Sequence, residues 1–208
     1  APEDHAETRR VTLINLGTEP GEVDVTSYAE LVLAPPRADA AHPVFSNLFV
    51  QTEALSELDT LLATRAARSS EDEPVWAAHV MVVQGASVGG SQYETDRSRF
   101  LGRGRGIRTP MSMIEGRPLS NGAGAVLDPI FSLRRRVRLA PGGSARVVFS
   151  TMLATSRSAV LLMADKYRDP ATFERIATLA WTQAQVQLHH LGIDTDEAHL
   201  FQQLANRI

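Results

Sequence analysis

The hydrophobic pattern of this chain changes its period once, and that change limits the folds available to it. From Val23 to Leu31, apolar and polar residues alternate with the two-residue period of a β-strand. Near the carboxyl end the spacing becomes helical, in a stripe formed by Phe173, Ile176, Ala177, Ala180, Ala184, Leu188 and Leu191. Strands followed by helices predict an all-β body with a helical extension.

Strand-like segments separated by turn residues fill the first three quarters of the chain. They span residues 10–16, 23–31, 47–55, 60–66, 76–84, 91–95, 130–139 and 145–153. The turn at Glu19-Pro20-Gly21 predicts that the first two segments pair as a hairpin. The segment 76–84 is apolar from Val80 to Val83, so we predict a central strand covered on both faces. Prolines between residues 35 and 43 predict a rigid, non-helical loop.

Helix start and stop signals divide the last quarter of the chain. A first helix is predicted from Ser156 to Tyr167. Asp169-Pro170 predicts the start of a second helix, with Asp as N-cap and Pro at the first helical position. Gly192 predicts its end. Asp194 and Glu197 have the spacing of a capping box, which predicts a third helix.

Composition excludes several classes of protein. The chain has no Cys, so neither a disulfide framework nor a thiolate metal site can form. Its formal net charge of -3 argues against a nucleic-acid-binding protein. No apolar run reaches the roughly 20 residues that cross a bilayer, and none of the histidines has zinc-site spacing, so no metal is expected. The chain lacks an initiating Met, which predicts a piece of a longer protein.

Glu94 and Asp96 are the candidates for an acid–base pair. Two residues apart on a strand, they would share a face at roughly 7 Å, which is near the separation that an inverting glycosidase uses. Catalytic carboxylates usually come from separate elements whose environments split their pKa values. We therefore favour a solvated strand face flanked by Arg97 and Arg99.

A glycine- and arginine-rich segment is the strongest candidate binding site. The residues of this segment that are candidates for binding a ligand are Arg99, Gly102, Arg103, Gly104 and Arg105. The G-x-G-x-G spacing of 102–106 is not that of a dinucleotide site, and no P-loop ending follows, so no cofactor is expected. Glycines let backbone approach a ligand, and guanidinium groups offer forked donors to sugar hydroxyls or phosphate. A structural loop whose arginines pair with local acids is an equally open alternative.

A cluster of arginines lies in the last part of the strand-like region. Arg134, Arg136 and Arg138 form one row, which predicts the solvated face of an amphipathic strand. Arg135 falls in the other row, with Phe131 and Leu133. An unpaired buried charge is very costly, so we predict an acidic or carbonyl partner for Arg135, in a structural ion pair rather than a ligand site.

Several segments together carry a resemblance to one carbohydrate-active family. They are 25–30 (VTSYAE), 42–50 (HPVFSNLFV), 99–105 (RFLGRGR), 116–120 (GRPLS), 124–136 (GAVLDPIFSLRRR) and 181–185 (WTQAQ). In this order they resemble the carboxy-terminal, phosphorylase-like region of bacterial cyclic β-1,2-glucan synthases, which belongs to glycoside hydrolase family 94. The resemblance covers nearly the whole chain, and the shared order of the segments makes it specific.

The resemblance implies an antiparallel β-sandwich, a partial supersandwich of the galactose mutarotase type, followed by linker helices that lead toward an (α/α)6 barrel. On this basis we predict that residues 1–155 form the sandwich, a carbohydrate-binding domain, and that residues 156–208 form the linker. The residues that the resemblance leads us to expect at the carbohydrate are Arg99, Gly102, Arg103, Gly104 and Arg105. The general acid and the phosphate-binding groups of the family lie on the barrel. The resemblance therefore implies a segment that is not itself an enzyme, within a parent protein that is a glycosyltransferase and glycoside phosphorylase.

The resemblance also implies partners and a location. The partners are β-1,2-glucan or a related glucoside, the rest of the parent chain with its barrel, and a second copy in a homodimer. The implied location is the cytoplasmic face of the inner membrane, as part of the parent protein, with the segment itself soluble. A purely structural or dimerising domain with no sugar affinity of its own is the alternative function.

Overall fold

The computed structural model describes residues 1–66 and 73–207. Its strands are β1 (Ala6–Ile14), β2 (Gly21–Thr26), β3 (Ala29–Glu30), β4 (Val50–Leu55), β5 (Thr60–Arg65), β6 (Trp76–Gln84), β7 (Ser87–Asp96), β8 (Pro129–Leu139) and β9 (Ser144–Ala154). Its helices are α1 (Pro36–Ala41), α2 (Pro43–Asn47), α3 (Arg97–Leu101), α4 (Met111–Ile114), α5 (Arg157–Arg168), α6 (Pro170–Leu191) and α7 (Thr195–Ala205), with a 3-10 turn at Ser56–Leu58. The change from strands to helices falls after Ala154, near the predicted position, whereas the division into two domains stays a prediction.

The strands form two antiparallel sheets. Sheet 1 has the order β1-β9-β6-β5-β4, so β6 is its central strand, as its apolar run predicts. In sheet 2, β8 is central and pairs with β2, β3 and β7. The predicted mainly β fold, a sandwich followed by helices, is confirmed. The segments 47–55 and 60–66 pair as predicted, through β4 and β5.

The predicted hairpin between the first two strands is wrong, because β1 and β2 belong to different sheets. β1 pairs with β9, and β2 pairs with β8. The β1–β2 and β8–β9 connections meet where Asn15 N donates to Gly143 O (3.0 Å) and Asn15 Nδ2 donates to Leu139 O (3.1 Å). An alternating pattern fixes which face of a strand is buried, but it does not identify the partner strand.

The two sheets share one core. Phe131 and Val137 of β8 pack there with Leu61, Met81 and Val147 of sheet 1. All five side chains are at most 3% exposed. Successive residues on a strand point to opposite faces, so the sequence neighbours of the sheet 1 residues point away from this core.

A second core lies on the other face of sheet 1, beneath α5. Leu62, Val80 and Met152 of the sheet cluster there with Val160 and Tyr167 of the helix. The central strand β6 is therefore buried on both faces, as predicted. It is this double coverage that permits a nearly continuous apolar run in its sequence.

The predicted helix signals are confirmed at the ends of the helices. Asp169 is the N-cap of α6, as predicted, and Ser156, the first residue of the predicted first helix, is the N-cap of α5. Gly192 ends α6 in the left-handed region, with a φ of 67°. Asp194 and Glu197 form the predicted capping box of α7. These signals act through neighbouring backbone groups, so they do not depend on the rest of the fold.

The proline-rich segment before β4 is helical, so the predicted non-helical loop is wrong. α1 begins at Pro36 and α2 begins at Pro43. Proline suits the first turn of a helix, because its missing N–H would have no intrahelical partner there in any case. The prolines therefore mark helix starts, and α2 places Asn47 close to sheet 2.

Candidate functional site

The residues predicted to bind carbohydrate lie in the connection between β7 and β8. Asp96 caps α3 at the start of this connection. Phe100 and Leu101 of α3 are buried in a cluster with Leu119 and with Ile130 of β8. The cluster fixes the connection to sheet 2, so the exposed side chains of α3 and of the following loop are held on a stable base.

Gly102 is required at the end of α3. Its φ is 80°, and a Cβ placed there would lie 2.8 Å from the Cβ of Met111. The positive φ and the close approach both exclude a larger residue. Gly104 also has a positive φ, of 72°, but it faces open space. Gly102 thus has a packing role between α3 and α4, whereas Gly104 leaves its backbone open to solvent.

The three arginines of the predicted site differ in their contacts. Arg105 Nη2 lies 3.0 Å from a carboxylate oxygen of Glu115. Arg99 Nε lies 3.8 Å from Asp96, and its side chain is 64% exposed. Arg103 is exposed and forms no hydrogen bond or ion pair with residues 1–66 or 73–207. Arg105 fits the structural alternative, and Arg103 keeps its donors free, so the carbohydrate-binding role of this set stays a prediction.

Glu94 and Asp96 hold backbone groups rather than forming an acid–base pair. Glu94 is 3% exposed, and its carboxylate accepts the N–H groups of Thr95 (3.0 Å), Asp96 (3.1 Å) and Ser120 (3.3 Å). The pairing of β7 with β8 shifts between Glu94 and Asp96, so the two do not share a regular strand face. The predicted solvated position is therefore wrong for Glu94, which anchors the β7–β8 connection to β7.

Arg134 is buried, although the alternation of β8 predicts a solvated row at its position. It is 4% exposed, because the β7–β8 connection folds over it. Arg134 Nη1 donates to Arg117 O and Nη2 to Ser112 O, both at 2.8 Å, and Nε donates to the Thr26 hydroxyl at 2.9 Å. Backbone carbonyls of a distant segment thus stabilise this guanidinium group. The alternation of residues along β8 cannot show that this segment covers it.

The other arginines of β8 differ from Arg134. Arg136 and Arg138 are exposed, as predicted, and each pairs at 2.7 Å with an acidic residue of β2. Arg135 donates to the hydroxyls of Ser91 (2.7 Å) and Ser87 (3.2 Å) of β7. The predicted acidic or carbonyl partner of Arg135 is therefore wrong. The bulge that shifts the β7–β8 register between Val88 and Gln92 brings neutral hydroxyls there instead.

A charged network that the sequence analysis missed lies beside α3. Arg97 Nε donates to Glu30 (2.9 Å) and to the Tyr28 hydroxyl (3.1 Å), and its Nη1 donates to Asp128 (3.2 Å). Asn47 donates to the second oxygen of Asp128 (3.3 Å). Burial, together with the hydrogen bond to Glu30, raises the pKa of Tyr28 to about 12, and the Tyr28 hydroxyl lowers the pKa of Glu30. Four separate segments supply these residues, so no local motif reveals them.

The charged network lines a cleft of about 360 Å³. Its walls also include the carboxylate of Asp39 and the apolar side chains of Val32 and Val44. Polar groups that converge with apolar side chains in a concave cleft are a common feature of a ligand site. Because α3 carries both Arg97 of the cleft and Arg99 of the predicted site, the cleft and the glycine- and arginine-rich loop are neighbours.

His79 is a second feature that the sequence analysis missed. Its ring stacks between Phe131 and Phe149, with centroid distances of 5.7 and 5.9 Å. Nε2 is hydrogen-bonded to the Ser27 hydroxyl (2.8 Å) and Nδ1 to the Thr151 hydroxyl (2.7 Å). Burial lowers the pKa of His79 to about 4. Both ring nitrogens are hydrogen-bonded to hydroxyl groups, and none of the described carboxylates orients the imidazole as in a Ser-His-Asp triad, so the Ser27–His79 contact is structural.

Comparison with known families agrees with this fold. Residues 1–170 match the family model for the supersandwich domain of glycosyl hydrolase 94. The chain belongs to this family. The match includes β1 to β9 and α5, and it confirms the predicted family and the predicted sandwich.

A curated relative of this family 94 chain is the cyclic beta-(1,2)-glucan synthase NdvB of Rhizobium meliloti (strain 1021). The two are 44% identical over 204 residues. The alignment covers 98% of this chain but 7% of the relative, so this chain spans a small part of that protein's length. The similarity also continues past residue 170, where the match to the supersandwich model ends.

Two further findings concern the family 94 chain over residues 1–66 and 73–207. None of the helices there combines the length and the apolar character needed to cross a bilayer. Nor do three or more His, Asp or Glu side chains of this range group as they would around a metal ion.

Proposed function

We propose that this chain is a non-catalytic, carbohydrate-binding and scaffolding segment of a cyclic β-1,2-glucan synthase. The observation that carries the proposal is its 44% identity to such a protein along 98% of its own length. In the intact protein the segment helps to bind β-1,2-glucan or a related glucoside, and a neighbouring (α/α)6 barrel shortens the glucan by phosphorolysis. The parent protein is then a glycosyltransferase and phosphorylase at the cytoplasmic face of the inner membrane.

The β7–β8 connection supports the binding part of the proposal. Arg103 offers unengaged donors, and Arg99 is largely exposed beside it. Gly102 and the buried Phe100 fix the backbone that carries them. A preorganised loop loses little conformational freedom on binding, so more of the contact energy contributes to affinity.

The carboxylates around the loop support the non-catalytic part. Glu94 is buried against backbone N–H groups, and Asp96 caps a helix. Glu30 and Asp128 are both held by Arg97. A glycosidase needs one carboxyl group with a raised pKa as its general acid, whereas the pKa of Glu30 is lowered. Release of glucose 1-phosphate from β-1,2-glucan by this chain alone would contradict the proposal.

Titration calorimetry with linear β-1,2-glucan tests the binding part. We expect binding at millimolar ligand and at least fivefold weaker binding by Arg103→Ala. Arg146→Ala is the matched control, because Arg146 is also exposed but lies on β9 in the other sheet. Equal affinities for both variants would contradict a role for the loop. Absence of binding by the unaltered chain would contradict sugar affinity as a whole.

A structural and dimerising domain is the second candidate function. Exposed apolar side chains on the last two helices favour it, since Trp181, Leu191 and Phe201 are each more than half exposed. Such side chains form a surface that another protein segment can cover. Sedimentation velocity over a range of concentrations tests this candidate: we expect a dimer that Trp181→Ser weakens. A monomer at all concentrations would contradict dimerisation through this surface.

A further inference from the structure

We propose that a cleft on the outer face of sheet 2 binds a phosphate group, either as inorganic phosphate or as a sugar phosphate. The cleft has a volume of about 290 Å³, its polar side chains are Asp24, Gln92, Arg134 and Arg136, and three glycines lie in its walls. It is distinct from the cleft beside Arg97. The proposal goes beyond the proposed function, which assigns only glucan binding to this chain.

Strand register places the polar residues of the cleft together. Arg134 of β8 lies opposite Thr26 of β2 and Gln92 of β7, and Arg136 lies opposite Asp24 of β2. Residues opposite each other on neighbouring strands share a face of the sheet. The cleft therefore lies across three strands whose pairing is fixed by the sandwich, and its geometry does not depend on a flexible loop alone.

The donors of the cleft are held in place and partly unused. Gln92 accepts the Leu119 N–H through Oε1 (3.0 Å), which orients its amide. Its Nε2 donates to none of the described residues. Arg136 binds both oxygens of Asp24, through Nε (2.7 Å) and Nη2 (2.8 Å). Because a guanidinium group has five N–H donors, Arg136 keeps three of them for a ligand.

Charge decides between a phosphate and a neutral sugar. The lining contains two cations, Arg134 and Arg136, and one anion, Asp24, so its formal charge is +1, although the whole chain carries -3. Within the described residues, the oxygen atoms that accept hydrogen bonds from Arg134 belong to a hydroxyl and two backbone carbonyls. No carboxylate there forms a hydrogen bond or an ion pair with its guanidinium group. Partly buried charges are weakly screened. A neutral sugar gains little from this excess, whereas a phosphate dianion gains directly.

Glycines leave backbone accessible on the walls of the cleft. The β7–β8 pairing shifts between Val88 and Gln92, so Gly89 and Gly90 fall outside the regular ladder. A Cβ placed at Gly89, Gly90 or Gly116 would contact nothing within 4 Å. These positions therefore leave open space beside the arginines, enough for a phosphate and an attached sugar ring.

Calorimetric titration of the full chain with sodium phosphate, against sodium chloride at equal ionic strength, tests the proposal. We expect saturable binding that is at least fivefold weaker in Arg136→Gln and in Gln92→Ala. Arg138→Gln is the matched control, because Arg138 pairs with Glu22 one row further along the same two strands, outside the cleft. Asp24→Asn removes the one acidic group of the lining, so we expect it to bind phosphate at least threefold more tightly.

The outcomes separate the proposal from its competitors. Three results would overturn it. The first is unchanged phosphate affinity in Gln92→Ala and Arg136→Gln, and the second is an equal weakening by Arg138→Gln. The third is weaker binding by Asp24→Asn. Gln92→Ala breaks no ion pair, so it keeps the test decisive if Arg136→Gln fails to fold. Tighter binding of glucose 6-phosphate than of phosphate assigns a sugar phosphate, and equal binding assigns phosphate itself. Equal binding of unmodified glucose would contradict the proposal, and none of these results depends on glucan binding at Arg103.

Discussion

The sandwich and the last two helices contain similar apolar side chains, but the sandwich buries them and the helices leave many of them exposed. Phe131 and Leu61 are completely buried between the sheets. In α6 and α7, Trp181 and Phe201 are more than half exposed, and the buried residues of α6 lie in its first two turns. The strands depend on partners that are distant in sequence, whereas caps and helical period form the helices locally. An apolar pattern thus predicts a surface, and the surrounding molecule decides whether that surface is covered.

The sharpest test of this difference is the loss of a core ring. Phe131→Ala removes a fully buried side chain that packs in the core shared by the two sheets and stacks on the His79 ring. We expect the free energy of unfolding to fall by about 3–5 kcal/mol, because the transfer term and the cavity term add. Urea denaturation measures it. A loss below about 1 kcal/mol would mean that the space between the sheets is not the main source of stability.

The second test uses pH, which acts on the interior of the sandwich through His79. His79 has a pKa of about 4 in the folded chain and about 6.5 when unfolded. As the pH falls, the unfolded state therefore binds a proton at His79 before the folded state does. The contribution of the neutral imidazole to the free energy of unfolding is complete above pH 6.5 and falls as the pH drops toward 4. The loss is about 3 kcal/mol by linkage. Urea denaturation at pH 7, 5.5 and 4 measures it.

Two variants isolate the contribution of His79 from that of the carboxylates. His79→Leu removes the buried imidazole, so we expect its stability to change less than that of the unaltered chain between pH 6.5 and 4. His190→Ala is the control, because His190 is exposed on α6. Identical pH profiles for His79→Leu and the unaltered chain would show that the imidazole is not kept neutral by burial.

The third test addresses the helical region through its capping box. Asp194→Ala removes the acceptor for Glu197 N, and we expect the helix to lose about 1 kcal/mol. Far-UV circular dichroism should show reduced helicity while the main unfolding transition stays in place, because α7 adds no buried residue to the described cores. Asp196→Ala is the control, since Asp196 lies in the first turn without capping. Equal effects of the two changes would contradict the capping role.

The smallest effect is expected from the loss of an exposed ring on α6. Trp181→Ala removes a side chain as large as any in the sandwich, but one that is 66% exposed. We expect the free energy of unfolding to change by less than about 0.5 kcal/mol, as for surface substitutions in general. Urea denaturation at low protein concentration measures this. A loss comparable with that of Phe131→Ala would show that the helix face is covered in solution.

Features that depend on neighbouring residues could be predicted from the sequence. The caps at Asp169 and Asp194 and the helix end at Gly192 involve backbone groups a few residues away. The central position of β6 follows from its own apolar run. The predicted hairpin of β1 and β2 failed because their true partners, β9 and β8, lie more than 100 residues further along the chain.

The parts of the candidate site that could not be predicted depend on distant segments. Which arginine of β8 is buried is decided by the β7–β8 connection, whose carbonyls at Ser112 and Arg117 meet Arg134. The Arg97 network likewise joins residues that only the folded sheets bring together. Composition and spacing identify the residue types that can form such contacts, but the register of the strands selects the partners.

The pairing of β1 with β9 has a consequence for synthesis on the ribosome. Ala6 lies opposite Met152, and Ile14 lies opposite Ser144. The first strand of the sandwich to be synthesised therefore has no partner until the last strand, β9, is available. Until β9 leaves the exit tunnel, β6 has an unpaired edge and β1 has no place in sheet 1. Sheet 1 therefore cannot be complete before β9 has emerged, and a chain whose synthesis stops before Ser144 leaves β1 and one edge of β6 without a partner strand.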